Sequence, residues 1–453
     1  MQNRLSVYAI SWLLILCSPT AFCQTPAPAT NFKFDFGSGK LQKGYTAITP
    51  TSFYTPELGY GFTKESQLTA VDRGPSSRGG RDALKSDYCT SDKPFYFTVD
   101  VPEGNYDVTV VLGDKTGESA TTVRAESRRL MVDQVLTKSG QFETRTFTVN
   151  VRTPQINATE SVRLKARERS YLNWDNQLTL EFNGLSPKVC AVEISRNNRA
   201  TTVFLAGNST VVDQDREPWA AWGQMIPRFF RPGQIAIANH AESGEALKSF
   251  VSEKRLAKIM SLMKPGDYLF VEFAHNDQKP GSAYVEPFTT YKEQLKLYIA
   301  EARKRGGIPV LVTSMHRRNF DSTGHIVNTL GDYPEAVRQT AREENVALID
   351  LNAMSKTLYE AWGPDASLKA FVHYPANTFP GQTQALKDNT HFNTYGAYEL
   401  ARCIVEGIKT GVPDLAKSLM ADIPPFNPAQ PDPIAGWSWP LSPMMSAIKP
   451  DGN

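Results

Sequence analysis

In the segment FLAGNSTVVD an apolar run ends at Ala206, Gly207 permits a tight turn, and Ser209 follows at once. A serine just beyond the carboxyl end of a buried strand stands where open α/β sheets place their ligands. Its hydroxyl is a candidate nucleophile, and its backbone N–H, at a helix start, is a candidate donor to a developing oxyanion. On this segment alone, capping of the following helix is the commoner use of such a serine. Far along the chain, Asp388-Asn-Thr-His391 sets a carboxylate and an imidazole three residues apart, just before TYGAYELARCIVEGI. One loop can deliver both: the aspartate fixes the tautomer of the ring, whose other nitrogen takes the serine proton. By spacing alone, this pair more often reads as a helix cap and a surface residue.

Two further segments offer donors. In IANHAESGEALKSF, Gly244 lets backbone approach closely, and in VEFAHNDQ the side chain of Asn276 can aim an amide N–H into the same crevice. An oxyanion hole needs such groups. Each has an ordinary use as well, Gly244 in starting a helix and Asn276 in closing a turn. The order of Ser209, Gly244, Asn276, Asp388 and His391 along the chain shifts the balance toward catalysis.

These residues need a scaffold that brings strand ends together. From Thr201 onward, TTVFLAG, IAIANHA, DYLFVEFAH, IPVLVTSM and VALIDL alternate with helical patterns, which predicts parallel strands joined by helices over 198–415. The clearest helix is TTYKEQLKLYIAEARKRGG, where Tyr291, Leu295, Leu297, Tyr298 and Ala302 recur near helical spacing and Gly306-Gly307 supplies a stop. Residues 31–197 instead show short alternating runs and turn residues, an all-β half best accommodated as a β-sandwich. Within it, FYFTVDVPEGNYDVTVVLG predicts a hairpin-like connection around Pro102-Glu103-Gly104-Asn105. Residues 416–453 form a Pro-rich C-terminal extension, in which Trp437 and Trp439 suggest an extended strap docked by its aromatics.

The block order GNS, a glycine after the second strand, HND after the third and a late DNTH resembles the SGNH or GDSL hydrolases. More closely, VTSMHRRNFD, GDYPEAVRQTAREENVALIDLNAMS and DNTHFNTYGA resemble the rhamnogalacturonan acetylesterases of carbohydrate esterase family twelve. The resemblance implies a three-layer flavodoxin-like α/β domain with a parallel sheet. It implies Ser209 as nucleophile, His391 as general base and then acid, and Asp388 as its orienting partner. The oxyanion donors would be the backbone N–H groups of Ser209 and Gly244 and the side chain of Asn276. The activity implied is removal of O-acetyl groups from pectic rhamnogalacturonan through an acetyl-serine. Acetylated xylan, homogalacturonan, another acetylated glycan or a non-catalytic carbohydrate-binding role are the alternatives. Three positions depart from the pattern: Asn208 for Asp, Ala274 for Gly, and Glu242-Ser243-Gly244-Glu245 for a segment with two glycines and an arginine. The last places Glu245 where a cation is usual, near the presumed cleft. NFKFDFGSG, ELGYGF and VPEGNYDVTVVLG resemble galactose-binding-like sandwiches, implying a jelly-roll first domain. His316, Arg317 and Arg318 after the fourth strand are candidates for a uronic carboxylate, with ordinary surface or helix-cap pairing at least as good a reading.

The rest of the sequence limits location and partners. Residues 1–23 read as an export signal, with apolar YAISWLLILC followed by SPTAFC, and QTPAPAT over 24–30 reads as a linker. A secreted or periplasmic protein is expected. No lipid anchor at Cys23 is expected, because bulky Phe22 precedes it. No membrane span is expected, since nothing downstream offers roughly 18 to 20 uninterrupted apolar residues. A formal charge of +2, without a dense basic run, argues against a nucleic-acid partner. Cys89, Cys190 and Cys403 remain in the mature chain; a Cys89–Cys190 disulfide and three buried thiols are both open. No metal and no cofactor is expected.

Overall fold

The computed structural model describes residues 29–74 and 82–451, so the expected signal and Cys23 lie outside the described residues. Two sheets come first, antiparallel except where Asn31–Phe36 pairs in parallel with Thr46–Ile48. One runs in the order Phe142–Val151, Gly104–Gly113, Lys188–Arg196, Asn31–Phe36 and Thr46–Ile48, with Asp87–Thr90 and Thr69–Asp72 added beside it. The other runs Tyr60–Phe62, Phe95–Asp100, Gln177–Leu185, Ser119–Ala125 and Arg129–Thr137. Alternate side chains of both sheets meet in one core, where Phe34, Phe36, Phe62 and Phe97 pack edge to face at 4.9 to 5.6 Å.

The expected hairpin is absent. Phe95–Asp100 and Gly104–Gly113 lie in different sheets, so the Pro102-Glu103-Gly104 turn crosses the sandwich. Both runs bury one face in the same core, and their alternation is the same whether they pair side by side or face one another.

The second unit is built on five parallel strands, Thr201–Gly207, Ile235–Asn239, Tyr268–Glu272, Ile308–Val312 and Ala347–Ile349. In space the second strand lies outside the first, followed by the third, fourth and fifth. Alternate residues serve two cores. Val203, Leu205, Phe270 and Val310 face Leu400, Ile404 and Ile408 of the helix Thr394–Gly411. Phe204, Leu269, Val271 and Leu311 face Ile259 of Arg255–Leu262, and Leu295, Tyr298 and Ile299 of Lys292–Lys304. Apolar runs buried on both faces are what a parallel sheet between two helical layers requires. Strand order is broken between the first and third strands, and the crevice at the carboxyl ends there is the expected ligand position.

The C-terminal extension is a strap. Trp437 packs on Tyr398 at 4.7 Å, and Trp439 stacks on Trp437 at 6.0 Å and donates its indole N–H to Glu217 at 2.9 Å. Cys89, Cys190 and Cys403 are buried free thiols. Among the described residues no helix is long and apolar enough to cross a membrane.

Candidate active site

Gly207 closes the first strand. A Cβ there would sit 2.5 Å from Val211 Cγ2 and 3.1 Å from Glu272 O, so only glycine lets the chain turn at this point. Asn208 shapes the turn: its side-chain oxygen accepts from Thr210 N at 3.0 Å and Thr210 Oγ1 at 2.9 Å. Ser209 is thereby set just past the carboxyl end of this interior strand, and its carbonyl is held by Gln214 Nε2 at 2.9 Å. Asn at this position retains the acceptor oxygen that fixes the turn.

Asp388 and His391 do not lie in an open loop. Leu386–Phe392 is a strand paired irregularly with Phe371–Tyr374, and Asn393 just beyond it caps the last long helix by accepting from Gly396 N at 3.1 Å. The ribbon and the cap together aim the imidazole. His391 Nε2 lies 2.9 Å from Ser209 Oγ, and His391 Nδ1 lies 2.9 Å from Asp388 Oδ2. The other carboxylate oxygen accepts from the backbone of Thr390 at 2.7 Å and of His391 at 2.9 Å. Burial would raise the Asp388 carboxyl, but the His391 ring and these two N–H groups outweigh it and hold it well below the usual carboxylate range. Trp219 closes one side, its ring edge-on to His391 at 5.6 Å.

Gly244 takes φ +86°, a left-handed turn that suits glycine. Among the described residues neither its backbone N–H nor that of Ser209 donates to an acceptor in the chain. Asn276 is buried beside them and commits one amide N–H to Glu245 O at 2.9 Å.

The charge expected at Glu245 is not presented to the cleft. Glu245 is fully buried, 2.5 Å from Lys165 and 3.9 Å from Arg255. Arg317 and Arg318 brace loops: Arg317 donates to Thr329 O at 3.3 Å, and Arg318 to Ser367 Oγ at 2.9 Å and Asn389 Oδ1 at 3.2 Å.

Sequence reasoning missed two sets of residues. Glu272, at the carboxyl end of the apolar strand Tyr268–Glu272, accepts from Trp222 Nε1 at 2.6 Å, Thr210 Oγ1 at 3.1 Å and Ser314 Oγ at 3.3 Å, tying the Ser209 turn to the sheet. A carboxylate in the apolar run YLFVEFA was the available signal. The second set comes from the sandwich. Arg129 Nε donates to Asp213 at 2.6 Å, and Arg128 Nη1 donates to the carbonyls of Gln214 at 3.1 Å and Trp219 at 3.0 Å. The first domain therefore grips the loop that follows Ser209, a contact that no local pattern announces.

A parallel α/β sheet with serine, glycine, asparagine and histidine blocks at its strand ends, preceded by an all-β domain, defines a hydrolase of the SGNH or GDSL type. The chain matches the GDSL-like lipase/acylhydrolase family over residues 205–397 and the beta-agarase/YXIM esterase-like, galactose-binding domain-like family over 32–165. It is 44% identical over 209 residues to rhamnogalacturonan acetylesterase RhgT of Bacillus subtilis (strain 168), covering 46% of this chain and 89% of the relative. It is 28% identical over 404 residues to the uncharacterized esterase YxiM of the same organism, covering 88% and 95%. The crystal structure of YxiM aligns at 26% identity with TM-score 0.44, covering 84% of this chain and 98% of that one. The chain belongs to the GDSL-like lipase/acylhydrolase family and is a carboxylic ester hydrolase.

Proposed function

We propose that this protein is a secreted carbohydrate acetylesterase that removes O-acetyl groups from pectic rhamnogalacturonan. The observation that carries the chemistry is the relay from Asp388 through His391 to Ser209, with both contacts of the ring at 2.9 Å. In this reading His391 Nε2 takes the proton of Ser209 Oγ as the oxygen attacks the acetyl carbonyl. The backbone N–H groups of Ser209 and Gly244 and the remaining amide N–H of Asn276 receive the oxyanion. His391 then returns the proton to the departing sugar hydroxyl, leaving an acetyl-serine. Water, deprotonated by the same ring, releases acetate and restores Ser209. Asp388, kept ionised by the His391 ring and the two backbone N–H groups, holds Nδ1 protonated and favours the imidazolium formed in each step.

The sugar assignment draws on the relatives: RhgT is named a rhamnogalacturonan acetylesterase, and the 38%-identical YesY of the same organism a probable one. Acetate release from acetylated rhamnogalacturonan, xylan and homogalacturonan tests it. Rhamnogalacturonan giving no more acetate than xylan refutes the substrate, and a Ser209→Ala chain with full activity refutes the mechanism.

A further inference from the structure

Beside the Ser209 and His391 pair lies a cavity of about 330 Å³, whose walls include Arg167, Tyr171, Trp219 and the tail residues Lys449 and Asp451. Two of its wall residues adjoin the reacting groups. Trp219 is the ring that meets His391, and Ser243, also in the wall, precedes Gly244. Arg167 belongs to the sandwich domain, on the short turn Ala166–Ser170. Its guanidinium is anchored on one side: Nε and Nη2 donate to Glu242 Oε1 at 3.1 and 2.6 Å, and Nη2 also donates to Ser243 O at 2.9 Å. Glu242 is buried beneath it. This leaves Nη1, which points outward and carries the carboxylate of Asp451 from the chain's own C-terminal tail. The same tail places Lys449 Nζ 3.4 Å from Asp388 Oδ2 and lays Asp451 Cβ against Gly244, 3.2 Å from where a Cβ on that glycine would stand.

A rigid fork with one nitrogen left over is a site for a carboxylate oxygen, and a carboxylate is what lies on it. Of the other charged groups in the wall, Arg216 is paired with Asp215 at 3.1 Å, and Lys449 lies 3.4 Å from Asp388. Tyr171, half-buried in the wall, supplies a flat face for a sugar ring. We infer that Arg167 Nη1 recognises the carboxylate of an acidic sugar residue next to the acetylated one, and that Asp451 holds this position until substrate displaces it. The inference rests on the acetylesterase reading above. It also gives the Glu242 and Glu245 departures a physical sense: the cation usual in that segment is supplied here by the other domain, with Glu242 holding it in place.

The test uses the full chain and two probes, acetylated rhamnogalacturonan oligosaccharide and the same oligosaccharide with its carboxyl groups reduced to alcohols. Acetate release gives kcat and KM for each. Arg167→Gln is expected to raise KM for the acidic form about tenfold, the scale of one charge-assisted hydrogen bond, and to collapse the preference for acidic over reduced substrate. Arg167→Lys is expected to keep part of that preference, and Asp451→Asn to lower KM for the acidic form about twofold to threefold by weakening the competing contact. An unchanged acid-to-reduced ratio in Arg167→Gln, or an equal loss on both substrates, overturns the inference. Hydrolysis of p-nitrophenyl acetate separates the failures. If the wild-type chain cleaves that ester and the ratio does not move, the carboxylate site is wrong and the esterase stands. If it does not cleave it, the esterase reading falls and takes the site with it.

Discussion

Replacement of Asp388 by Asn tests the relay most directly, because the structure dictates which way the amide must face. One oxygen of Asp388 is held by the backbone N–H groups of Thr390 and His391 at 2.7 and 2.9 Å, and the other meets His391 Nδ1 at 2.9 Å. In Asp388→Asn the amide oxygen keeps the two backbone donors, so the NH2 group faces Nδ1. That nitrogen must then accept, and the ring proton moves to Nε2, where it points at Ser209 Oγ. The imidazole can no longer take the serine proton. Flipping the amide restores the tautomer but sets NH2 against two backbone N–H groups, stranding two donors at about 1–3 kcal/mol each. The competent form is then disfavoured by roughly 2–6 kcal/mol, and kcat falls by about 30-fold to 10⁴-fold. The upper end matches the loss expected when a triad is locked in the wrong tautomer, about 10⁴. Steady-state hydrolysis of p-nitrophenyl acetate reads this, with circular dichroism to verify the fold. Since Ser209 and Asp388 act as one unit, the double variant Ser209→Ala/Asp388→Asn is expected to be no slower than Ser209→Ala alone. A kcat within tenfold of wild type, or a loss confined to KM, refutes the reasoning.

Asn276→Ala removes one oxyanion donor, and kcat on p-nitrophenyl acetate is expected to fall about 10²–10³-fold with little change in KM. Arg129→Met strands the buried carboxylate of Asp213, and urea unfolding is expected to show a loss of about 3–5 kcal/mol. Burial pushes the Glu272 carboxyl from 4.5 up to about 7, against hydrogen bonds from Trp222, Thr210 and Ser314. A raised folded-state pKa contributes stability that is present below the unfolded value and lost as pH rises through about 7. Glu272→Gln is therefore expected to flatten the fall in stability between pH 5 and 8, by at most about 3 kcal/mol. Thermal melts at the two pH values check it, and parallel falls in wild type and variant count against it.

The five parallel strands were legible because each is an apolar run buried on both faces, and the spacing between them left room for helices. Ser209, Asp388 and His391 could be picked out because each sits at a punctuation mark of the chain: the glycine ending a strand, or the residues just ahead of a capped helix. What the sequence hid were facts of pairing. The alternation in FYFTVDVPEGNYDVTVVLG is the same for a hairpin and for strands of opposite sheets, so the crossover at Pro102-Glu103-Gly104 carried no signature. DNTH reads as loop by composition, and becomes strand only because Phe371–Tyr374 lies beside it. Glu245 reads as a negative charge near the cleft, and is neutralised by Lys165, 80 residues earlier in the chain.

That last pairing bears on what the sandwich is for. A domain that only held polysaccharide nearby would need no more than a linker to the hydrolase. Here Arg128 and Arg129 are buried against the carbonyls and carboxylate of the segment 213–219, and Asp213 also accepts from Asn239 Nδ2 at 2.8 Å, at the end of the second parallel strand. On the other side of the cleft, Lys165 donates to Ser243 O at 2.6 Å, next to Gly244. The two loops that carry Ser209 and Gly244, the proposed nucleophile and oxyanion donor, are thus each clamped by side chains of the first domain. A hydroxyl within 2.9 Å of its base is useful only if that separation is maintained, and misplacement by about 1 Å can cost about 10²-fold in rate. Cutting the chain near residue 198 would leave Asp213 and Glu242 without the arginines that pair them and take Lys165 from Glu245, which keeps only Arg255 at 3.9 Å, and buried carboxylates in that state are incompatible with the loop geometry described. The sandwich is accordingly a structural part of the active site, and separation of the domains is expected to abolish turnover of even the smallest acetyl ester.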